Sequence, residues 1–281
     1  MKTIFVPMDF SKEATHALDV AVALARPAKA TVVLLHVIQS VYEEQYASGA
    51  ELPADARQRL DQKVDKAQQQ LRQLVEGAQA GDVTIHCQVK VGSIFITLPE
   101  NISAAGTDLI VMGTKGDSGF HEVVEGSNAE KVVRSANCPI ITVGKPVKGF
   151  TLRNVVLATD FDHRVGPLLD LLHGWQSVFG FKLHLVYVNT PLNYSTTFKM
   201  QERLEKFLKK HPLENYTTAL IDEYSEKDGI LRYADLVQAD LVALLTHGRQ
   251  GLAYLLDGSI ASQVVNHAQV PVLTYNMHAD K

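Results

Sequence analysis

The chain has 281 residues, of which 46% are apolar and 21% charged, and a formal net charge of −4. Such a composition excludes wholesale disorder and collagen-like repetition, and the length fits one large domain or two ordinary ones of about 100–200 residues. Neither half is basic: residues 1–148 carry 15 Lys and Arg against 17 Asp and Glu, and residues 149–281 carry 12 against 14. No basic face for nucleic-acid phosphates is therefore expected.

The first apolar run is 2–8. Met1-Lys2 leads directly into it, so no secretory signal is expected and a cytoplasmic location is. Ser11 is a candidate N-cap for a helix over Ser11–Ala25. The longest apolar stretch, Ala17 to Ala25, is interrupted by Asp19 and falls far short of the ~20 residues of a membrane span. A strand-like run at 30–38 precedes a helix over Ala54–Glu76, in which Leu60, Val64, Leu71 and Leu74 share a face. Runs at 83–90 and 107–113, a helical segment Ser127–Ser135 and a run at 138–144 follow. Lys145-Pro146-Val147-Lys148-Gly149 reads as a linker, placing domains at 1–146 and 150–281. Beyond it come runs at 153–159, 182–188, 216–222, 239–246 and 270–276. Trp175 lies at helical spacing with Leu171, Leu172 and Phe179, as a core or interface residue would. Cys87 and Cys138 each fall in a strand-like run, which suggests buried thiols and neither a disulfide nor a metal cage.

The chain repeats itself. TIFVPMDFS (3–11) matches NVVLATDFD (154–162), VVLLHV (32–37) matches LHLVYV (183–188), DLIVMGTKG (108–116) matches DLVALLTHG (240–248), and CPIITV (138–143) matches VPVLTY (270–275). The order is the same in both halves. The offset falls from 151 to 132, so the second copy is 19 residues shorter, in the stretch after its second apolar run. Runs rich in Val, Ile and Leu without strict alternation read as strands buried on both faces. Their alternation with helices predicts two tandem doubly wound α/β domains, each a parallel sheet with helices on both faces. In such folds ligands sit beyond the carboxyl ends of the strands, where strand order reverses.

Those ends carry Pro7-Met8-Asp9-Phe10-Ser11 and Gly113-Thr114-Lys115-Gly116, followed nine residues later by Gly126-Ser127. Glycine turns let a backbone approach a ligand, and a helix start offers N–H groups to an anion. Each piece also has a ligand-free reading. Ser127-Asn128-Ala129-Glu130 is a capping box, Asp9 can cap the first helix, and Gly113 and Gly116 can form an ordinary turn. Together at one sheet edge they favour a phosphate-bearing ligand. The P-loop and the dinucleotide fingerprint are both absent. The eleven histidines show no helical metal spacing, and no hydrolase elbow is found, so no catalytic residue and no metal ligand is assigned.

The G-x-x-G, nine-residue, G-S pattern after DLIVMG, with VPMDFS, LLHV and CPIITV, resembles the universal stress protein family over the whole chain, as two tandem copies. The resemblance implies five parallel strands per copy in the order 3-2-1-4-5, and ATP or another adenine nucleotide as ligand. It places the adenine contacts on Pro7, Asp9 and Val37, and the ribose and phosphate contacts on Met112, Gly113, Gly116, Gly126, Ser127 and Asn128. Magnesium beside Ser127 would offset the acidic Asp117, Glu122 and Glu125. In the second copy Ala158 replaces Pro7 and Leu245 replaces Gly113, where a Cβ would penalise positive φ or fill ligand space. Asp160, Gly248, Gly258 and Ser259 remain as a weak second site, empty, weakly occupied or bound to a different ligand. The expected function is a nucleotide-responsive stress sensor or regulator acting on a protein partner, with no membrane and no nucleic acid involved. The alternatives are a slow magnesium-dependent ATPase and a ligand-free scaffold. The resemblance also implies that the last strands of the copies pair into a pseudo-dimer within the chain, to which a further homodimer is a possible addition.

Overall fold

A computed structural model of the chain describes residues 1–40, 42–78, 80–114, 138–147, 149–161, 163–246 and 260–276. The chain divides into two compact units, Met1–Val147 and Lys148–Lys281.

In the first unit the order is β1 (Thr3–Pro7), α1 (Lys12–Ala28), β2 (Thr31–Ile38), α2 (Glu43–Ser48), α3 (Ala54–Gly77), β3 (Ile85–Val91), α4 (Ile94–Ala104), β4 (Leu109–Gly113) and β5 (Ile140–Val143). Its strands lie in the order β3-β2-β1-β4-β5, every pair parallel, as expected. Successive side chains of a strand point to opposite faces. Ile4, Phe5 and Val6 of β1 are all fully buried, so both faces of the central strand are covered. That accounts for the missing apolar–polar alternation in the sequence.

The second unit repeats the plan with β6 (Asn154–Ala158), a 3₁₀ turn His163–Val165, α5 (Gly166–Phe179), β7 (Lys182–Asn189), α6 (Thr197–Lys210), β8 (Tyr216–Asp222), α7 (Glu226–Leu236), β9 (Leu241–Thr246), α8 (Ile260–His267) and β10 (Val272–Asn276). Its strand order is β8-β7-β6-β9-β10, again all parallel. Trp175 is buried and meets Phe179 edge-on, ring centroids 6.2 Å apart, as a core residue does.

Both units are tied at the amino ends of their strands by one device. Asp108 Oδ2 accepts hydrogen bonds from the backbone N–H groups of Lys2 and Thr3, and Asp240 Oδ2 from those of Arg153 and Asn154. The aspartate that opens the fourth strand thus closes the entry to the first, which is why both copies begin that run with Asp-Leu.

Two thiols depart from expectation. Cys87 is exposed, because β3 is the unit's outer strand and none of its residues is fully buried. Cys138 is half-buried just before β5; burial first, then the nearby Asp108 charge, pushes its pKa up to about 12. Among the described residues no helix is long and apolar enough to cross a membrane.

Candidate functional site

The carboxyl edge of the first sheet is built around the turn from β1 into α1. Ser11 is the N-cap of α1: its Oγ accepts from the Ala14 N–H at 3.1 Å. The same hydroxyl donates to Asp9 Oδ1 at 2.6 Å, and the Ser11 N–H reaches that oxygen at 3.0 Å. Asp9 is therefore not the cap; it orients the cap. Phe10, between them, sits in the left-handed region at φ 65°. Its ring lies 4.5 Å from that of His36, whose Nδ1 donates to the Met8 carbonyl at 2.7 Å. Burial lowers the His36 pKa, against the Met8 hydrogen bond and the Asp9 charge, so the ring is neutral with its proton on Nδ1.

Around this turn lie most of the expected residues that the structure describes. Pro7 ends β1, Val37 is the next-to-last residue of β2, and Met112 and Gly113 end β4. The strands are neighbours in the order β2-β1-β4, so these residues flank the point where strand order reverses. Gly116, Gly126, Ser127 and Asn128 lie outside the described residues, as do Gly248, Gly258 and Ser259 of the second copy.

The reason for glycine at 113 differs from the expected one. Its φ is not positive. A Cβ there would stand 2.8 Å from the Glu13 carbonyl carbon and 2.9 Å from the Ala14 nitrogen, so the first turn of α1 excludes a side chain. In the second unit Leu245 is accommodated because the helix begins differently. The 3₁₀ turn His163–Val165 stands where the first α-turn would be, and α5 starts at Gly166 with no side-chain cap.

The second unit keeps the turn itself. Phe161 repeats the left-handed conformation at φ 58°. Its N–H is received by Thr159 Oγ1 at 3.0 Å, where Phe10 uses the Met8 sulfur at 3.3 Å. Asp160 faces Arg164 at 3.8 Å. Position 36 becomes Tyr187, whose hydroxyl turns the other way and donates to the Asn193 carbonyl at 3.2 Å. Beyond the carboxyl ends of β6, β7 and β9 lies a cleft of about 660 Å³, with Val165, Val186, Leu244 and Leu245 among its lining residues.

Sequence reasoning passed over His36 and Glu226. His36 lies in the repeat register of Tyr187, beside the Phe10 and Phe161 pair, and that pairing was the available signal. Glu226, at the start of α7, accepts from Thr190 Oγ1 at 3.1 Å and Asn193 Nδ2 at 2.8 Å. Burial raises its pKa, but the hydrogen bonds from Asn193, its own backbone and Thr190 outweigh burial and lower it overall. Nothing in the pattern of apolar runs marks such a residue. Among the described residues no three His, Cys, Asp or Glu side chains gather as a metal site would require.

The model of the universal stress protein family matches the chain twice, over residues 1–144 and 152–276. A universal stress protein of Synechocystis is 25% identical over 292 residues, covering 98% of this chain and all of that one. One from Methanocaldococcus jannaschii is 30% identical over 149 residues, which is 52% of this chain and 84% of its own length. The crystal structure of a universal stress protein from Archaeoglobus fulgidus superposes with a TM-score of 0.72 at 18% identity, covering 98% of this chain and 96% of that one, and so shares the fold.

Proposed function

Because the chain belongs to the universal stress protein family, in two tandem copies, we propose that its first unit binds an adenine nucleotide, with ATP the expected form, and that occupancy regulates contact with a protein partner. What carries the reading is the convergence of Pro7, Asp9, Val37, Met112 and Gly113 on the carboxyl ends of three adjacent strands. There the neutral His36 and the Ser11–Asp9 pair hold the turn in one conformation. A turn held before the ligand arrives lowers the ordering cost of binding. Val37, next to last in β2, is the residue whose backbone groups the reading assigns to the adenine.

The chain also keeps Gly116, Gly126 and Ser127 at the spacing that a phosphate cradle needs, and this half of the reading rests on sequence. Ser127 is the hydroxyl available to a magnesium ion on the phosphates. The proposal is a binding and signalling role, within the cytoplasm.

The test is direct. Freshly purified full-length protein is denatured, and the released small molecules are identified by chromatography and mass spectrometry, beside calorimetric titration of the same protein with ATP. An adenine nucleotide in the released fraction, or saturable ATP binding, supports the reading. Absence of both overturns it.

A further inference from the structure

We propose that the cleft of the second unit binds a small carboxylate carried on an apolar body, and not a nucleotide. Its volume, about 660 Å³, lies within the range of roughly 300–1,000 Å³ of small-molecule sites. The floor is apolar: Val165, Val186, Ile230 and Leu244 are buried there, and Leu245 adds its side chain where the first unit has glycine. Gly229 lets α7 close down on β7, since a Cβ there would overlap the Val188 side chain, and this brings Ile230 and Glu226 over the end of the strand.

The charges at the mouth decide the ligand's sign. Two carboxylates line the cleft: Asp160 pairs with the cation Arg164, whereas Glu226 keeps its charge and is held in place by the neutral donors Thr190 and Asn193. Two cations line it as well. Lys199 and Arg203 are exposed, one turn apart on α6, and among the described residues neither has an ion-pair partner. Arg203 is close enough to Tyr187 for its charge to oppose the upward push of burial on that phenol. The two cations without an ion-pair partner among the described residues thus stand above an apolar floor. Leu192 and Tyr194, 95% and 72% exposed, add apolar surface at the rim that a ligand body would cover. A carboxylate on a hydrocarbon or aryl body matches all three features. Against a nucleotide, the Leu245 side chain takes up space that Gly113 leaves open in the first unit.

The inference does not depend on nucleotide binding by the first unit. Full-length protein is titrated calorimetrically with octanoate, and with 1-octanol and octylammonium as size-matched neutral and cationic probes. Octanoate is expected to bind saturably, at least tenfold more tightly than either control. In the variant Lys199→Glu/Arg203→Glu, whose changes lie on an exposed helix face, octanoate should lose at least tenfold while 1-octanol is unchanged. In Leu245→Trp, which fills the cleft, octanoate binding should be lost. Excess ATP should not displace octanoate. Absence of saturable octanoate binding overturns the proposal. So does octanol or octylammonium binding as tightly as octanoate, an unchanged affinity in the double variant or in Leu245→Trp, or displacement by ATP.

Discussion

The two units have sheets of the same strand order and diverge at the connection after the second strand. In the first, the chain leaves β2 at Ile38 and passes through α2 before α3, and Tyr42, Tyr46 and Leu52 pack with Phe10, Val64 and the buried Ile38 and Leu60. In the second, β7 reaches α6 through a short loop knit by polar side chains. Asn189 Oδ1 accepts from the Ser195 N–H at 2.8 Å, and Thr190 and Asn193 converge on Glu226. The residues missing from the second copy are divided between this apolar cover and the following helix, 24 residues long in the first unit and 14 in the second, and a cleft lies at the end of the second sheet. At the opposite end of the strands, the Asp108 and Asp240 staples are the same. The amino edge, which holds the strand entry, is the same in both units, and the carboxyl edge differs.

Exchanging the residues that distinguish the units should break this comparison most visibly. Gly113→Leu forces a side chain into the backbone of α1 and should cost about 3 kcal/mol or more by chemical denaturation, since overpacking against backbone cannot relax. The reverse change, Leu245→Gly, removes a half-buried side chain and should cost about 1–3 kcal/mol while enlarging the cleft. A loss under about 1 kcal/mol for Gly113→Leu would mean that α1 does not dictate the glycine.

The shared staples offer a sharper, smaller test. Asp108→Ala and Asp240→Ala each strip an acceptor from two backbone N–H groups near the surface, and each should cost about 1 kcal/mol. Hydrogen exchange at residues 2, 3, 153 and 154 reports the two ends separately. A large loss in one unit and none in the other would contradict the common plan.

Glu226→Gln should cost less than about 1 kcal/mol at neutral pH, allowing for solvent screening. Its lowered pKa means that the charged form stabilises the fold at neutral pH and that this contribution disappears as pH falls through the lowered value. Wild type and Glu226→Gln should therefore converge in acid, and a gap that persists there would remove the carboxylate from the account. The smallest effect is expected at register position 36. The His36 ring should titrate below the free-histidine range by NMR, so protonation opposes the native turn and stability declines as pH drops below neutral. Tyr187 gives the equivalent position of the second unit no such dependence, and a normal or raised His36 midpoint would contradict the buried, neutral ring.

Much of this was legible in the sequence. Buried parallel strands declare themselves as unalternated apolar runs, and the repeat of VPMDFS as LATDFD located the equivalent turns before any coordinates. Helix Ala54–Gly77 followed from the spacing of Leu60, Val64 and Leu71. The reasons behind single residues were less legible. Gly113 reads in sequence as a φ requirement or as ligand space; its φ is not positive, and the crowding by α1 is a tertiary fact that no local pattern encodes. Cys87 looked buried because apolar neighbours cannot tell an outer strand from a central one. Glu226 matters through Thr190 and Asn193, partners more than thirty residues away in sequence.

The asymmetry of the two units is tested most directly by the number of nucleotides that the full-length chain binds. Calorimetry with a non-hydrolysable ATP analogue should give one site per chain. Gly126→Val, which puts a branched side chain at the expected phosphate approach, should abolish it, and Lys199→Glu/Arg203→Glu should leave it unchanged. Two equivalent sites per chain, or a single site lost through the Lys199 and Arg203 changes and indifferent to Gly126→Val, would contradict the account.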